Sequence, residues 1–140
     1  MAVCTFFGHR DCPDDIRESL KNTLENLIEN REANTFYVGN QGAFDRIVLS
    51  VLRELAKKYP LIRYFVVLAY LPNPKLPDGH AETILPDGIE TVPPRFAIAR
   101  RNRWMLRQAD IAVVYVRHRV GCAAQYAGEA ERQKKTVIYL

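Results

Sequence analysis

The sequence predicts an α/β fold, with a mostly parallel sheet of about five strands between two layers of helices. Two observations support this prediction. Short apolar runs typical of buried strands alternate along the chain with longer stretches whose apolar residues recur at helical spacing. Glycines and polar residues follow several of the predicted strands, as in the turns that lead from a strand into a helix. Strands that alternate with helices pair in parallel through crossover connections.

The first half of the chain contributes three predicted strands and two predicted helices. Residues 3–7 form a short apolar strand, and Pro13 then opens a helix, because proline suits the first helical position. Residues 35–38 are the second strand, and a glycine turn at 39–42 leads into the second helix. Residues 62–69 are the third strand, whose continuous apolar run indicates burial on both faces.

The second half begins with a segment that breaks this rhythm. Residues 71–94 contain many prolines and are predicted to be a long loop, either a lid over a site or a surface excursion. A helix follows over about 95–108, and residues 110–116 form the fourth strand. A last helix ends near Arg132, and residues 136–139 close the predicted sheet as the fifth strand.

Length and composition limit the classes of protein that the chain can belong to. The 140 residues fit one domain spanning 1–140, and 48% hydrophobic with 26% charged residues is ordinary for a globular fold. No apolar run has the ~20 residues that a membrane span needs, and the run at 2–7 is too short for a signal peptide. Three scattered cysteines indicate reduced thiols. We therefore expect a cytoplasmic protein with no membrane partner, no metal site and no cofactor.

The charge of the chain is distributed unevenly. Residues 1–94 carry 10 basic and 13 acidic side chains, whereas residues 95–140 carry 10 basic and 3 acidic ones. The last third therefore has a net charge of +7, which suits phosphate groups on a small ligand or on a nucleic acid. A solubilising surface is the alternative explanation of this charge.

Candidate ligand-binding residues follow from where parallel sheets bind ligands, which is outside the carboxyl ends of the strands. They lie in the loops after the predicted strands, in the helix that begins near residue 95, and at the start of the last helix. These residues are Gly8, His9, Arg10, Gly39, Asn40, Gly42, Asp45, Arg101, Asn102, Gly121, Cys122 and Gln125.

Glycines and arginines in the first two of these loops suit an anion. Gly8 allows a close approach of the backbone to a ligand, and Arg10 offers a bidentate phosphate donor. Gly39 and Gly42 precede a helix N-terminus, where backbone N–H groups can hold an anion, although tight turns also require glycine. Asp45 either accepts hydrogen bonds from ribose hydroxyls or stabilises the helix N-terminus.

Two positions near the later helices are more unusual. Arg101 falls on the apolar side of its helix, between Ile98 and Met105, where it either binds a ligand or extends its charge to the surface. Cys122 follows Gly121 at the start of the last helix, where it either has a lowered pKa or serves as a small packing residue.

These motifs resemble the superfamily that joins the DNA-processing protein DprA, the YpsA-like proteins and the LOG phosphoribohydrolases. Residues 8–10 (Gly-His-Arg) resemble its first-loop Gly-x-Arg, and residues 39–45 resemble its second loop, Gly-x-x-Gly-x-x-Asp. Residues 101–105 (Arg-Asn-x-x-Met) resemble the Arg-Lys-x-x-Met helix of LOG enzymes. The resemblance covers most of the chain, is closest to small YpsA-like members, and implies a Rossmann-like three-layer α/β/α fold that binds nucleotides or their derivatives.

The chain departs from the LOG pattern where that family carries its catalytic glutamate. LOG enzymes cleave the N-glycosidic bond of nucleoside monophosphates with an arginine, matched by Arg101, and a glutamate, whose position falls on Gln125. An amide cannot act as a general acid or base. We therefore expect a protein that binds a nucleotide-like, phosphate-bearing small molecule, such as a sensor, and we assign no catalytic residue.

Two alternative functions and the oligomeric state stay open. A phosphoribohydrolase would need another carboxylate, for which Asp45, Glu82 and Glu129 are candidates. Single-stranded nucleic-acid binding would use the basic last third, with Trp104 and Tyr126 stacking on bases. The sequence is compatible with a homodimer and does not fix the oligomeric state.

Overall fold

The structure, a computed structural model, describes residues 2–70 and 82–140. The described residues form six strands: β1 (Ala2–Gly8), β2 (Ala33–Val38), β3 (Arg63–Val67), β4 (Glu82–Ile84), β5 (Ile111–Tyr115) and β6 (Thr136–Tyr139). They also form four α-helices: α1 (Ile16–Asn30), α2 (Gly42–Lys58), α3 (Pro94–Gln108) and α4 (Cys122–Arg132). No helix of this part of the chain combines the length and apolar character that crossing a membrane requires.

The six strands form one sheet in the order β4-β3-β2-β1-β5-β6, and every neighbouring pair is parallel. Strand β1 lies inside the sheet, where Cys4 pairs with Phe36 of β2 on one side and with Ile111 of β5 on the other. All of β5 is buried, because helices cover both faces of the sheet at this strand. The predicted α/β fold with a parallel sheet is confirmed, with one strand more than the predicted five or so.

The helices cover the sheet as two layers. Leucines and valines of α1 and α2, such as Leu24 and Val51, pack with Phe36 on one face of the sheet. On the other face, Met105 of α3 and Tyr126 of α4 belong to a second apolar cluster. This arrangement gives the three layers, helix–sheet–helix, that the resemblance implied.

Strand β4 lies in the segment 71–94, which the sequence predicted to be a loop. Its residues Glu82 and Thr83 are exposed, so the segment lacks the apolar pattern of a buried strand. Backbone pairing with β3 places it at the edge of the sheet, and Leu68 extends the contact by donating its N–H to the Ile84 carbonyl at 2.8 Å. Residues 71–81 of the predicted loop lie outside the described residues.

The strand order defines where a ligand site is expected. From β1 the chain enters α1 on one face of the sheet, and from β5 it enters α4 on the other face. Because β1 and β5 are neighbours, the two connections diverge and leave a crevice at the carboxyl ends of these strands. The first turn of α2 lies at the same edge of the sheet, since α2 follows the carboxyl end of β2.

Candidate functional site

A cavity of about 310 Å³ lies at this carboxyl edge, between the loops after β1 and β2 and the helices α3 and α4. Its volume is at the lower end of the range found for small-molecule sites, about 300–1,000 Å³. The charged lining residues are Arg10, Arg95, Arg101 and Asp45. The apolar part of the lining includes Phe6, Phe7, Ile98 and Met105. The cavity therefore combines a positively charged region with an apolar surface.

Arg101 is the most unusual residue of this lining, because only 2% of its surface is exposed. It lies in α3 one turn before Met105, so the helical spacing that directs Met105 into the core also buries Arg101. Within residues 2–70 and 82–140, the Arg101 guanidinium forms no ion pair. A buried charge without an ion-pair partner is costly unless a ligand or hydrogen bonds compensate it.

Hydrogen bonds compensate two of the three guanidinium nitrogens. Nε donates to Asn102 Oδ1 at 2.8 Å, and Nη1 donates to the Val67 carbonyl at 3.1 Å and, more weakly, to Asn40 Oδ1 at 3.5 Å. Nη2 donates to no atom of the described residues. Among these residues, every side-chain nitrogen that the protein covers fully has a hydrogen-bond partner. Nη2 must therefore retain an accessible surface. Burial lowers the pKa of Arg101, and Asp45 opposes this shift.

Gly39 lies between Arg101 and Asp45, and its lack of a side chain is required there. A Cβ at this position would lie 2.8 Å from Nη1 of Arg101 and 3.0 Å from Oδ2 of Asp45. Asp45 is 8% exposed and accepts the backbone N–H of Gln41 at 2.9 Å, so it stabilises the start of α2. Burial raises the pKa of Asp45 to about 6, while the Gln41 hydrogen bond and Arg101 lower it.

The loop after β1 is held against the start of α2. Gly42 has a φ of +91°, and a Cβ there would lie 2.6 Å from the Arg10 Cα. The Ala43 N–H donates to the Arg10 carbonyl at 2.8 Å, which fixes the two loops together. Gly8 is equally constrained, since a Cβ would lie 2.2 Å from the Phe44 ring. The exposed Arg10 side chain is thereby positioned at the cavity.

The first turn of α4 forms the opposite side of the cavity. Cys122 and Ala123 line it, and no side chain caps the helix N-terminus. Gln125 N–H bonds to the Gly121 carbonyl, whereas the N–H groups of residues 122–124 have no acceptor among the residues that the structure describes. A helix N-terminus with free N–H groups attracts anions.

The structure brings together most of the predicted site residues. Six of them line the cavity: Gly8, Arg10, Asp45, Arg101, Asn102 and Cys122. Gly39 and Asn40 contact Arg101, Gly42 contacts Arg10, and Gly121 begins α4 directly before Cys122.

His9 and Gln125 lie apart from the cavity lining. His9 Nε2 accepts the Arg117 N–H at 2.8 Å, and its ring is 4.7 Å from that of His118. Burial, His118 and Arg117 lower the pKa of His9, which favours the neutral imidazole. Gln125 lines a second depression between α3 and α4, together with the exposed Arg100 and other residues.

Two polar side chains of the cavity lining, and one carbonyl group that holds Arg101, were not among the predicted site residues. Arg95 lies on the first turn of α3, and only its place in the basic last third could have indicated it. Gln41 lines the cavity from the second loop. The Val67 carbonyl has no sequence signal at all, because every residue has a carbonyl group.

The residues on which the two alternative functions would depend lie in different surroundings. Asp45 is the one carboxylate among the described residues that line the cavity. Glu82 is exposed on β4, and Glu129 pairs with Arg132. Tyr126 is 2% exposed and stacks on Phe7, so it presents no ring face to a base.

No protein-family model matches the sequence, and no curated protein matches it significantly. Within the described residues, no group of three or more potential metal ligands is present.

Proposed function

We propose that the cavity binds a nucleotide or a nucleotide-derived small molecule through its phosphate group. Arg101 carries this proposal, because its buried guanidinium lines the cavity and, among the described residues, has neither an ion-pair partner nor a hydrogen bond from Nη2. A guanidinium held by Asn102 and a backbone carbonyl is preorganised, so little conformational entropy is lost when an anion binds.

The surroundings of Arg101 support a phosphate as the anion. The uncapped first turn of α4 lies at the same cavity, so its backbone N–H groups are available to an anion there. Arg10 and Arg95 add positive charge to the lining of the cavity. Asp45 is the one acidic residue among the described residues of this lining. Together these groups offer several donors to an anion with several oxygens.

The apolar part of the lining supports a ligand larger than free phosphate. Ile98 and Ala99 of α3, which are partly exposed in the lining, are suited to contact a sugar or a base. The resemblance to the DprA and LOG superfamily implies the same class of ligand, because Arg101 matches the arginine of LOG enzymes.

Binding without hydrolysis is the better-supported form of this proposal. Glycosidic cleavage needs a carboxylate close to the sugar. Gln125 is an amide that lines a different depression, and Asp45 is already engaged with the Gln41 N–H. A role as a nucleotide sensor fits this arrangement, and we propose the cytoplasm as its compartment.

Isothermal titration with adenosine 5′-monophosphate tests the proposal. Arg101→Met keeps an unbranched apolar stem and removes the charged guanidinium, and we expect it to weaken binding by roughly 10- to 100-fold. Arg107 is the matched control, because it lies on the same helix and is exposed. We expect Arg107→Met to change the affinity less than about threefold.

Arg101→Lys separates charge from geometry and guards against misfolding, since it retains a cation but not the planar fork. We expect an affinity between those of the wild type and Arg101→Met. Equal losses in Arg101→Met and Arg107→Met, with both variants folded by circular dichroism, would mean that the arginines provide only a diffuse field. A steep loss of binding with salt, together with equal affinity for oligonucleotides, would favour nucleic-acid binding instead.

A further inference from the structure

The cavity also contains a thiol, that of Cys122. This residue is exposed, is the first residue of α4, and lines the cavity together with Arg101. It follows Gly121, whose φ of +101° and open surroundings leave the approach to the helix start unobstructed by a side chain. An incoming molecule can therefore reach Sγ from the cavity.

The other two cysteines are in different chemical surroundings. Cys4 is fully buried in the sheet, and burial, with a smaller effect of Asp110, raises the pKa of its thiol to about 12. Cys12 is half-buried, its thiol donates weakly to the Pro13 carbonyl, and burial raises its pKa to about 11. Because the thiolate is the reactive form, both should react slowly near neutral pH.

Arg101 provides an independent reason to expect a ligand beside Cys122. Arg101 is 2% exposed and lines the cavity, and in the described part of the chain it has no ion-pair partner and no hydrogen bond from Nη2. A negatively charged group that binds there lies in the same cavity as the thiol. Selectivity among thiol reagents would then follow from their charge.

We propose that Cys122 is a reversible S-thiolation site for low-molecular-weight disulfides that carry carboxylate groups. The Cys122 thiolate attacks one sulfur of the disulfide, a new S–S bond forms, and the old S–S bond breaks. The other half leaves as a thiolate and takes a proton from water, so Cys122 is oxidised while half of the reagent is reduced. The carboxylate is held by the arginines of the cavity.

This inference uses the anion-binding arginines of the proposed function but does not require that the natural ligand be a nucleotide. It has a consequence for that ligand, because an adduct on Cys122 occupies the cavity. Thiolation and binding of a phosphate-bearing molecule would therefore exclude each other, and a reductant would restore binding.

The test compares two alkylating reagents of similar size on the full-length folded protein, with the sites read by peptide mass spectrometry. Iodoacetate is anionic and iodoacetamide is neutral. For each cysteine, the rate with iodoacetate is divided by the rate with iodoacetamide. This ratio for the folded protein is then divided by the same ratio for that cysteine in urea. We expect a normalised ratio of at least about threefold for Cys122, which shares its cavity with Arg101, an arginine without an ion-pair partner among the described residues. We expect a ratio of about one for Cys12, because Asp14 and Asp15 oppose the effect of Arg117 there.

A second arm uses glutathione disulfide as the probe. We expect an adduct on Cys122 that forms at least about tenfold faster than one on Cys12, is absent in Cys122→Ser, persists in Cys12→Ser, and is reversed by dithiothreitol. A normalised ratio near one for Cys122 in the wild type, or equal adduct formation on Cys12, would overturn the proposal. The two measurements that decide the proposal use the wild-type protein, so they do not depend on whether an Arg101 variant folds.

The outcome also separates this proposal from the nucleotide proposal. If Cys122 shows the charge preference and the adduct but adenosine 5′-monophosphate neither binds nor protects it, the thiol site stands and the nucleotide proposal fails. If the nucleotide binds in an Arg101-dependent way and Cys122 forms no adduct, the reverse holds.

Discussion

Replacing Asp45 by asparagine should make the protein more stable at neutral pH, although Asp45 makes a native hydrogen bond. Asp45 is 8% exposed, and burial raises the pKa of its carboxyl group from 3.8 to about 6. Its Oδ2 accepts the Gln41 N–H at 2.9 Å, which an asparagine oxygen can also do. The substitution therefore keeps the bond and removes the cost of a buried charge.

The sign and size of the effect follow from the pKa difference between the folded and unfolded chain. Between about pH 4 and pH 6 the folded protein holds the Asp45 proton and the unfolded chain loses it, so the free energy of unfolding falls as pH rises. Below pH 4 both states are protonated, and above pH 6 the full cost remains. A shift from 3.8 to about 6 corresponds to about 3 kcal/mol as an upper limit.

Urea denaturation at several pH values measures this effect. We expect Asp45→Asn to raise the free energy of unfolding by about 1–3 kcal/mol at pH 7.5 and to change it little at pH 4. Asp110→Asn is the control, because Asp110 also accepts a backbone N–H, that of Val3 at 2.9 Å, but is exposed. The reasoning is refuted if Asp45→Asn destabilises the protein at pH 7.5, or if its stability still falls between pH 4 and pH 6 as in the wild type.

Two further substitutions test the geometry of the cavity. Gly39→Ala would place a Cβ 2.8 Å from Arg101 Nη1 and 3.0 Å from Asp45 Oδ2. We therefore expect denaturation to show a loss of about 1–3 kcal/mol in stability. We expect nucleotide titration to show a loss of about tenfold in affinity. Gly128→Ala is its control, because a Cβ there meets its nearest atom at an ordinary 3.6 Å, and it should leave binding unchanged. Gln125→Glu should not create phosphoribohydrolase activity, because Gln125 does not line the cavity that holds Arg101; release of free base from nucleoside monophosphates, near 1 s⁻¹ as for a typical enzyme, would contradict this.

The fold was largely predictable from the sequence because its inner strands carry strong local signals. The buried strand β5 (Ile111–Tyr115) and the helix-spaced leucines of α1 leave little choice of structure. Strand β4 could not be predicted, since Glu82 and Thr83 are exposed and the strand joins the sheet by backbone pairing at its edge. Backbone hydrogen bonds are the same for every sequence, so periodicity does not reveal such a strand.

The candidate site was predictable in position more than in detail. Arg101 was found because a charge on the apolar side of a helix is unusual, and its burial to 2% exposure agrees with that placement. The sequence did not predict that Gln125 lies apart from the cavity, although Ala123 and Gln125 are about 200° apart around a helix. Ala123 lines the cavity, and Gln125 therefore points toward α3 and the second depression. Which side of α4 faces the sheet depends on packing between distant segments, which the motif does not encode.

The most direct test of the central claim is a crystal structure of the protein grown with adenosine 5′-monophosphate. We expect a phosphate oxygen about 3 Å from Arg101 Nη2, with the N–H groups at the start of α4 as further donors and the base against Ile98 and Ala99. A nucleotide whose phosphate lies instead along the exposed arginines between α3 and α4, with Nη2 of Arg101 still unbonded, would contradict the claim.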